Sequence, residues 1–230
     1  NLGMGGADYR TLYMILYSFV EIQNNKVQNL IVQVDPFILY NPIYSNPRMD
    51  YNFYSRSNYS EIKKCIQDEK MIWIYRYMPI IKFIEYNNVL NFTHFINSFS
   101  ESSVLSESKG SSLVFEDIAF KPPTKINSTL TKINKTDVDY LEKIVEFCHQ
   151  NNIKIVLYTA PIYQYNKYFE TSYPDFEEKL GILLENYSIP YLNYKNLYSF
   201  KTDHFKDLIH LNNYGTNKLS LSIANSGYID

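Results

Sequence analysis

"IKIVLYTAP", residues 153–161, is the stretch on which the reading of the fold turns. Its centre is continuously apolar, as expected of a strand covered on both faces. Just before it, Thr136 and Asp139 stand close to a capping box, and Val138, Leu141, Val145 and Cys148 follow helical spacing. Just after it, Phe176, Leu180, Leu183 and Leu184 mark another helix, and "IPYLNY" (189–194) reads as a last short strand. Asn212 or Asn213 caps a final helix running to roughly residue 225. Helices alternating with strands in this way predict an α/β domain: a parallel sheet with helices on both faces.

The N-terminal part extends the alternation. Tyr9, Leu12, Tyr13, Leu16 and Val20 predict a helix over 8–23. "NLIVQVD" (29–35), ended by Pro36, predicts a buried strand. Residues 41–59 read as a Tyr/Asn/Pro/Ser loop, and 60–98 as mainly helical with a break near Pro79. Residues 100–130 are polar and Ser-rich, a long loop with one short strand. No repeat or linker is visible, so the expectation is one domain over 1–230 with an insertion at 41–130.

Bulk composition limits the function classes. The chain has 230 residues, 45% hydrophobic and 20% charged, enough for a sizeable core. A net charge of −2 without any Lys/Arg-rich run offers no general attraction for nucleic acid. No apolar run reaches the ~18 residues of a membrane span; "MIWIYRYMPIIKFI" is broken by Arg76, Pro79 and Lys82. Cys65 and Cys148, outside any CxxC, allow one bridge or two buried thiols. The excess of Tyr, Asn, Ile and Lys reads as compositional drift before it reads as an aromatic binding surface.

The chemistry candidates gather in "DHFKDLIHLNNYG" (203–215). A carboxylate at Asp207, three residues before His210, can accept the Nδ1 proton and leave Nε2 as a base. The pair falls between the last strand and the last helix, where open parallel sheets collect their sites. His204, in the same stretch, reads as a solvated loop residue. His94 and His149 stand apart from acidic pairs, and no metal-ligand spacing or nucleotide-binding loop is present, so no metal or cofactor is expected. "NLGMGG" before the first helix presents backbone N–H groups that suit an oxyanion, or it is simply a tight turn.

Together, Asn1–Gly6 and Asp207–Gly215 resemble the blocks of the SGNH (GDSL-like) hydrolase superfamily. The "HLNNYG" segment and the strand ending in Pro161 are similar to its cell-envelope branch, which includes polysaccharide O-acetylation and DltD-like proteins. The resemblance implies a flavodoxin-like three-layer fold. It implies His210 as base and then acid, Asp207 as its orienter, and the Gly6 N–H in the oxyanion hole. It further implies acyl-ester hydrolysis or O-acyl transfer on an envelope glycan, outside the cytoplasm, with a membrane acyltransferase as a partner. The insertion would select the substrate.

Two departures accompany the likeness. The superfamily's Ser block precedes its Asn-Gly block, so the nucleophile and its central strand are expected upstream of Asn1. Ser111 and Ser112 in "KGSSLVF" follow a Gly, but in the wrong chain order and without a buried strand before them. In the third block Asp35 matches the family Asp, whereas Val34 replaces an Asn that donates to the oxyanion, a donor worth ~3 kcal/mol. The alternative expectation is therefore an inactive SGNH-fold module that binds a glycan or assembles the modification machinery.

Overall fold

The computed structural model describes residues 8–36, 39, 53–66, 72–74, 77, 120–122, 124, 135–169, 173, 175–197 and 199–228. The chain forms two compact units, Asn1–Lys26 with Ile43–Ser112, and Val27–Pro42 with Leu113–Asp230. The second segment of the first unit falls within the expected insertion.

In the first unit, helix α1 (Tyr9–Tyr17) continues into a π-helical turn, Ser18–Ile22, and helix α2 spans Ser60–Cys65 after a 3₁₀ turn at Tyr54–Arg56. Asp8 caps α1: the Thr11 N–H donates to its Oδ1 at 2.7 Å. Tyr9, Tyr13 and Leu16 of the expected stripe are buried, joined by Met14. The helix also buries Arg10, which is only 2% exposed. Its Nε lies 3.5 Å from Asp8 Oδ2, and its Nη1 donates to the Cys65 carbonyl at 2.8 Å. That carbonyl belongs to the last residue of α2, where backbone acceptors lack helical partners and a cation is favoured. Helical backbone recurs at 72–74 and at 77. The rest of the helix expected over 60–98 and most of the loop and strand expected over 100–130 lie outside the described residues.

The second unit is α/β. Strands β1 (Asn29–Gln33), β2 (Lys154–Thr159) and β3 (Tyr191–Asn193) form one sheet in the order β1-β2-β3. Both pairings are parallel, with Ile31 opposite Val156 and Tyr158 opposite Leu192. Parallel neighbours need a crossover. Helices α4 (Tyr165–Tyr168) and α5 (Phe176–Tyr187) lie between β2 and β3, and α3 (Lys135–Gln150) precedes β2. Helix α6 (Asn213–Ala224) follows the sheet.

Burial follows position in the sheet. Val156, Leu157 and Thr159 of β2 are buried, as a strand with neighbours on both sides requires. Strand β1 departs from the continuous burial expected of 29–35. Val32 is buried, as is Val34 just beyond the strand, but Ile31 is 41% exposed and Gln33 is exposed. Among the described residues β1 is an edge strand, and its alternation is that of a strand covered on one face.

Strands β2 and β3 are entered through the same device. At the end of α3, Asn152 takes a left-handed conformation (φ 55°), Ile153 N–H donates to Cys148 O at 2.8 Å and Asn152 N–H to His149 O at 3.3 Å. At the end of α5, Ser188 does the same (φ 52°), with Ile189 N–H on Leu184 O at 3.1 Å and Ser188 N–H on Glu185 O at 3.4 Å. Both are Schellman closures, each followed by a buried Ile that anchors the next strand.

Candidate active site and adjoining cleft

The loops leaving the carboxyl ends of β2 and β3 are tied to each other. Ile162 N–H donates to Lys195 O at 3.1 Å, and Tyr163 N–H to Leu208 O at 3.0 Å. Ile162, Tyr165 and Phe169 form a buried cluster against which Leu208 and Ile209 pack. The two residues between Asp207 and His210 therefore anchor the loop that carries them.

That loop closes on itself. Phe205 and Leu211 pair as an antiparallel bridge, and Lys206 N–H donates to His210 O at 2.9 Å. Inside it, Asp207 Oδ1 accepts from the backbone N–H of Ile209 (2.9 Å) and of His210 (2.8 Å). The His210 Nδ1 lies 2.8 Å from Asp207 Oδ2 and 3.0 Å from Oδ1. A three-residue spacing lets one carboxylate close its own turn and grip the ring that follows. With Nδ1–H donating to the carboxylate, Nε2 is the accepting nitrogen. Partial burial pushes the Asp207 carboxyl up, but the Ile209 N–H and the His210 ring and N–H outweigh it, and the group lies below the usual carboxylate value. The pair faces water: the His210 side chain is 66% exposed and that of Asp207 46%.

The rest of "HLNNYG" holds this loop to α6. Asn212 caps the helix, its Oδ1 accepting from Gly215 N–H at 3.0 Å, while its Nδ2 donates to Asp203 O at 2.7 Å. Asn212 N–H donates to His204 O at 3.0 Å. Gly215 sits against that same carbonyl, and a Cβ there would lie 2.2 Å from the oxygen. Glycine is required here for close approach, since it lies in an ordinary helical turn.

His204 corrects its expected role. It is half-buried in the 3₁₀ turn Thr202–His204, where its Nδ1 lies 3.1 Å from the Lys201 backbone nitrogen and 2.9 Å from Asp203 Oδ1. Its ring meets Phe200 edge-on at 5.6 Å. It is a structural ring in a tight turn. His149 is exposed in the last turn of α3. Val34 is fully buried and extends the sheet, its N–H donating to Tyr158 O at 2.7 Å and its carbonyl accepting from Thr159 Oγ1 at 2.8 Å. Its aliphatic side chain supplies no oxyanion donor. Gly6, His94, Ser111 and Ser112 lie outside the described residues.

A cleft of about 880 Å³ opens between the same strand-end loops. Its walls include Tyr163, Lys167, Lys195, Phe200, Lys201 and Phe205, and neither Asp207 nor His210 lines it. In the sequence these residues are hidden within the general excess of Tyr and Lys, which reads as compositional drift. Their signal was the recurrence of aromatic and basic residues just after two strand ends. Among the described residues no cluster of His, Cys, Asp and Glu is placed to hold a metal ion, and no helix is long and apolar enough to cross a membrane. Comparison with protein-family models, curated proteins and solved structures finds no match to this chain.

Proposed function

We propose that the chain belongs to an SGNH-like α/β hydrolase with a flavodoxin-like three-layer fold, acting on an acyl ester of a cell-envelope glycan. The observation that carries this reading is the Asp207–His210 pair, bonded through Nδ1 and anchored beside the strand-end loops. Asp207 fixes the tautomer. His210 Nε2 takes the proton of a serine that precedes Asn1, and that serine's Oγ attacks the ester carbonyl. His210 then returns the proton to the departing alkoxide as the acyl–oxygen bond breaks. Water, or a sugar hydroxyl in the transfer reaction, then attacks the acyl-enzyme carbonyl while giving its proton to His210, and His210 passes that proton to the serine Oγ as the acyl–serine bond breaks. The protein works outside the cytoplasm, with a membrane acyltransferase supplying the acyl group.

The test is hydrolysis of an acetyl ester by the full-length native protein. His210→Ala is expected to lower turnover by about 10³-fold or more, with the melting temperature within a few degrees of wild type. Turnover unchanged in that variant would overturn the reading. A second reading has its own support: the pair is exposed and does not line the cleft. In it the chain is an inactive binding or assembly module of the same fold. Full-length protein that never exceeds buffer turnover would select it.

A further inference from the structure

We propose that the cleft between the loops after β2 and β3 holds a stretch of uncharged oligosaccharide. The proposal concerns binding, rests on the cleft alone, and stands or falls without any ester chemistry at His210.

In an open parallel sheet, ligands collect in the crevice outside the carboxyl ends of the strands. Residues between Pro161 and Lys167 follow β2, residues between Lys195 and Phe205 follow β3, and both runs line the cleft. Its rings are held before any ligand arrives. Tyr163 is wedged edge-on between Phe120 (5.2 Å, 86°) and Phe205 (5.5 Å, 75°). Phe200 carries Lys218 Nζ over one face at 4.9 Å and meets His204 edge-on. Rings fixed in this way offer apolar walls to the C–H faces of a sugar, and they lose little freedom when one docks.

Beside the rings stands a polar cluster with bonding capacity to spare. Gln164 Nε2 and Thr202 Oγ1 each donate to the Tyr163 hydroxyl oxygen at 3.3 Å. That oxygen accepts both bonds, which leaves the tyrosine's own proton for an outside acceptor. Gln164 and Thr202 are exposed, so the amide carbonyl and the threonine oxygen stand as acceptors. A donor and two acceptors beside apolar rings match a sugar, whose hydroxyls both give and take while its ring face is apolar.

Charge does not define this ligand. Lys195 is ion-paired with Glu177, and its Nζ lies 4.6 Å above the Tyr165 ring. Lys167 has a partner too. Lys201 is exposed, and water and salt screen it. No carboxylate lines the cleft among the described residues. The backbone supports a purpose-built wall. Gln164 holds a left-handed conformation (φ 44°, ψ 52°), although it is neither Gly nor Asn. Such strain collects at ligand-binding sites, and here it turns the chain from β2 into the cleft wall. A volume of about 880 Å³ falls in the upper part of the range for small-ligand sites and has room for more than one ring.

Calorimetric titration of the full-length protein tests this with three neutral trisaccharides, maltotriose, cellotriose and chitotriose, and with the acidic trigalacturonate. At least one neutral trisaccharide is expected to bind with a Kd below about 1 mM and more tightly than trigalacturonate. Its affinity should change by less than about twofold as salt rises from about 0.05 M to about 0.5 M. Tyr163→Phe, which keeps the ring and removes the hydroxyl, and Thr202→Ala are each expected to weaken it by about threefold to tenfold, with the melting temperature kept. Folded protein that binds none of the three neutral sugars would overturn the proposal. Tighter binding of trigalacturonate, or an affinity that collapses with salt, would overturn the uncharged assignment. Unchanged affinity in both variants would place the sugar elsewhere and overturn the cleft as its site.

Discussion

Alanine placed at two glycines, Gly215 and Gly181, should move stability in opposite directions. Both lie in helices, so helix propensity favours Ala at each by about 1 kcal/mol or slightly less. They differ in what surrounds them. A Cβ at Gly181 meets nothing within 4 Å. At Gly215 it would lie 2.2 Å from the His204 carbonyl oxygen and 2.9 Å from Leu211 Cδ2. The obstacle is backbone, so it cannot turn aside as a flexible side chain would. Relief requires the 204 carbonyl to withdraw by roughly 1 Å from a contact far inside optimal separation. Overpacking of this kind costs about 3 kcal/mol, at the upper end of its usual range. The withdrawal also breaks the bond from Asn212 N–H to His204 O, worth about 1 kcal/mol. Set against the helical gain, the net loss for Gly215→Ala is about 3 kcal/mol, or about 6–12 °C in melting temperature at this chain length. Gly181→Ala should raise the melting temperature by about 1–4 °C. Thermal melts followed by far-UV circular dichroism, with urea unfolding as a second measure, read both. If Gly215→Ala is neutral or stabilising like Gly181→Ala, the close packing of α6 on the 203–211 loop is wrong.

Other consequences can be measured in the same preparations. Ser188→Gly should stabilise by about 1 kcal/mol, seen as a higher urea midpoint, because a non-glycine residue is held left-handed there; no gain would mean the α5 closure is misread. The Asp207 carboxyl lies below its ordinary value when folded, so its stabilising contribution is complete above the unfolded value near 3.8 and is lost as pH falls through the folded value. Wild type should therefore lose more stability than Asp207→Asn on going from about pH 5 to about pH 2; equal losses would contradict the bonding at Asp207. Cys65 and Cys148 are free and buried, and burial pushes the Cys148 thiol up to about 12. At about pH 8 a thiol reagent should label neither cysteine in native protein and both after denaturation. Rapid labelling of native Cys148 would contradict its burial.

The parts of the fold legible in the sequence are those set by local pattern. Strand β2 was visible in its unbroken apolar centre, and α3 and α5 in their apolar stripes. Asn212 was visible as a cap because its side chain serves the helix immediately after it. The Asp207–His210 contact was legible for the same reason: a spacing of three residues builds it locally. The missed features are decided at a distance. Arg10 reads as a polar helix position, but it is buried because the carbonyl end of α2, 55 residues away, needs a donor. Strand β1 has the composition of a buried strand, and its alternating exposure reflects cover on one face, which its own residues do not encode. His204 resembles a loop residue until the Lys201 N–H is seen on its ring. The cleft joins residues after β2 to residues after β3, and no single window of sequence contains it.

Active-site labelling tests the central claim, that His210 oriented by Asp207 activates a serine, most directly. Full-length native protein would be treated with a fluorophosphonate ester and the adduct located by mass spectrometry. One adduct is expected, on a single serine, formed about 10³-fold more slowly or worse in a folded His210→Ala variant. No adduct in folded wild-type protein, or an adduct formed equally fast without His210, would contradict it.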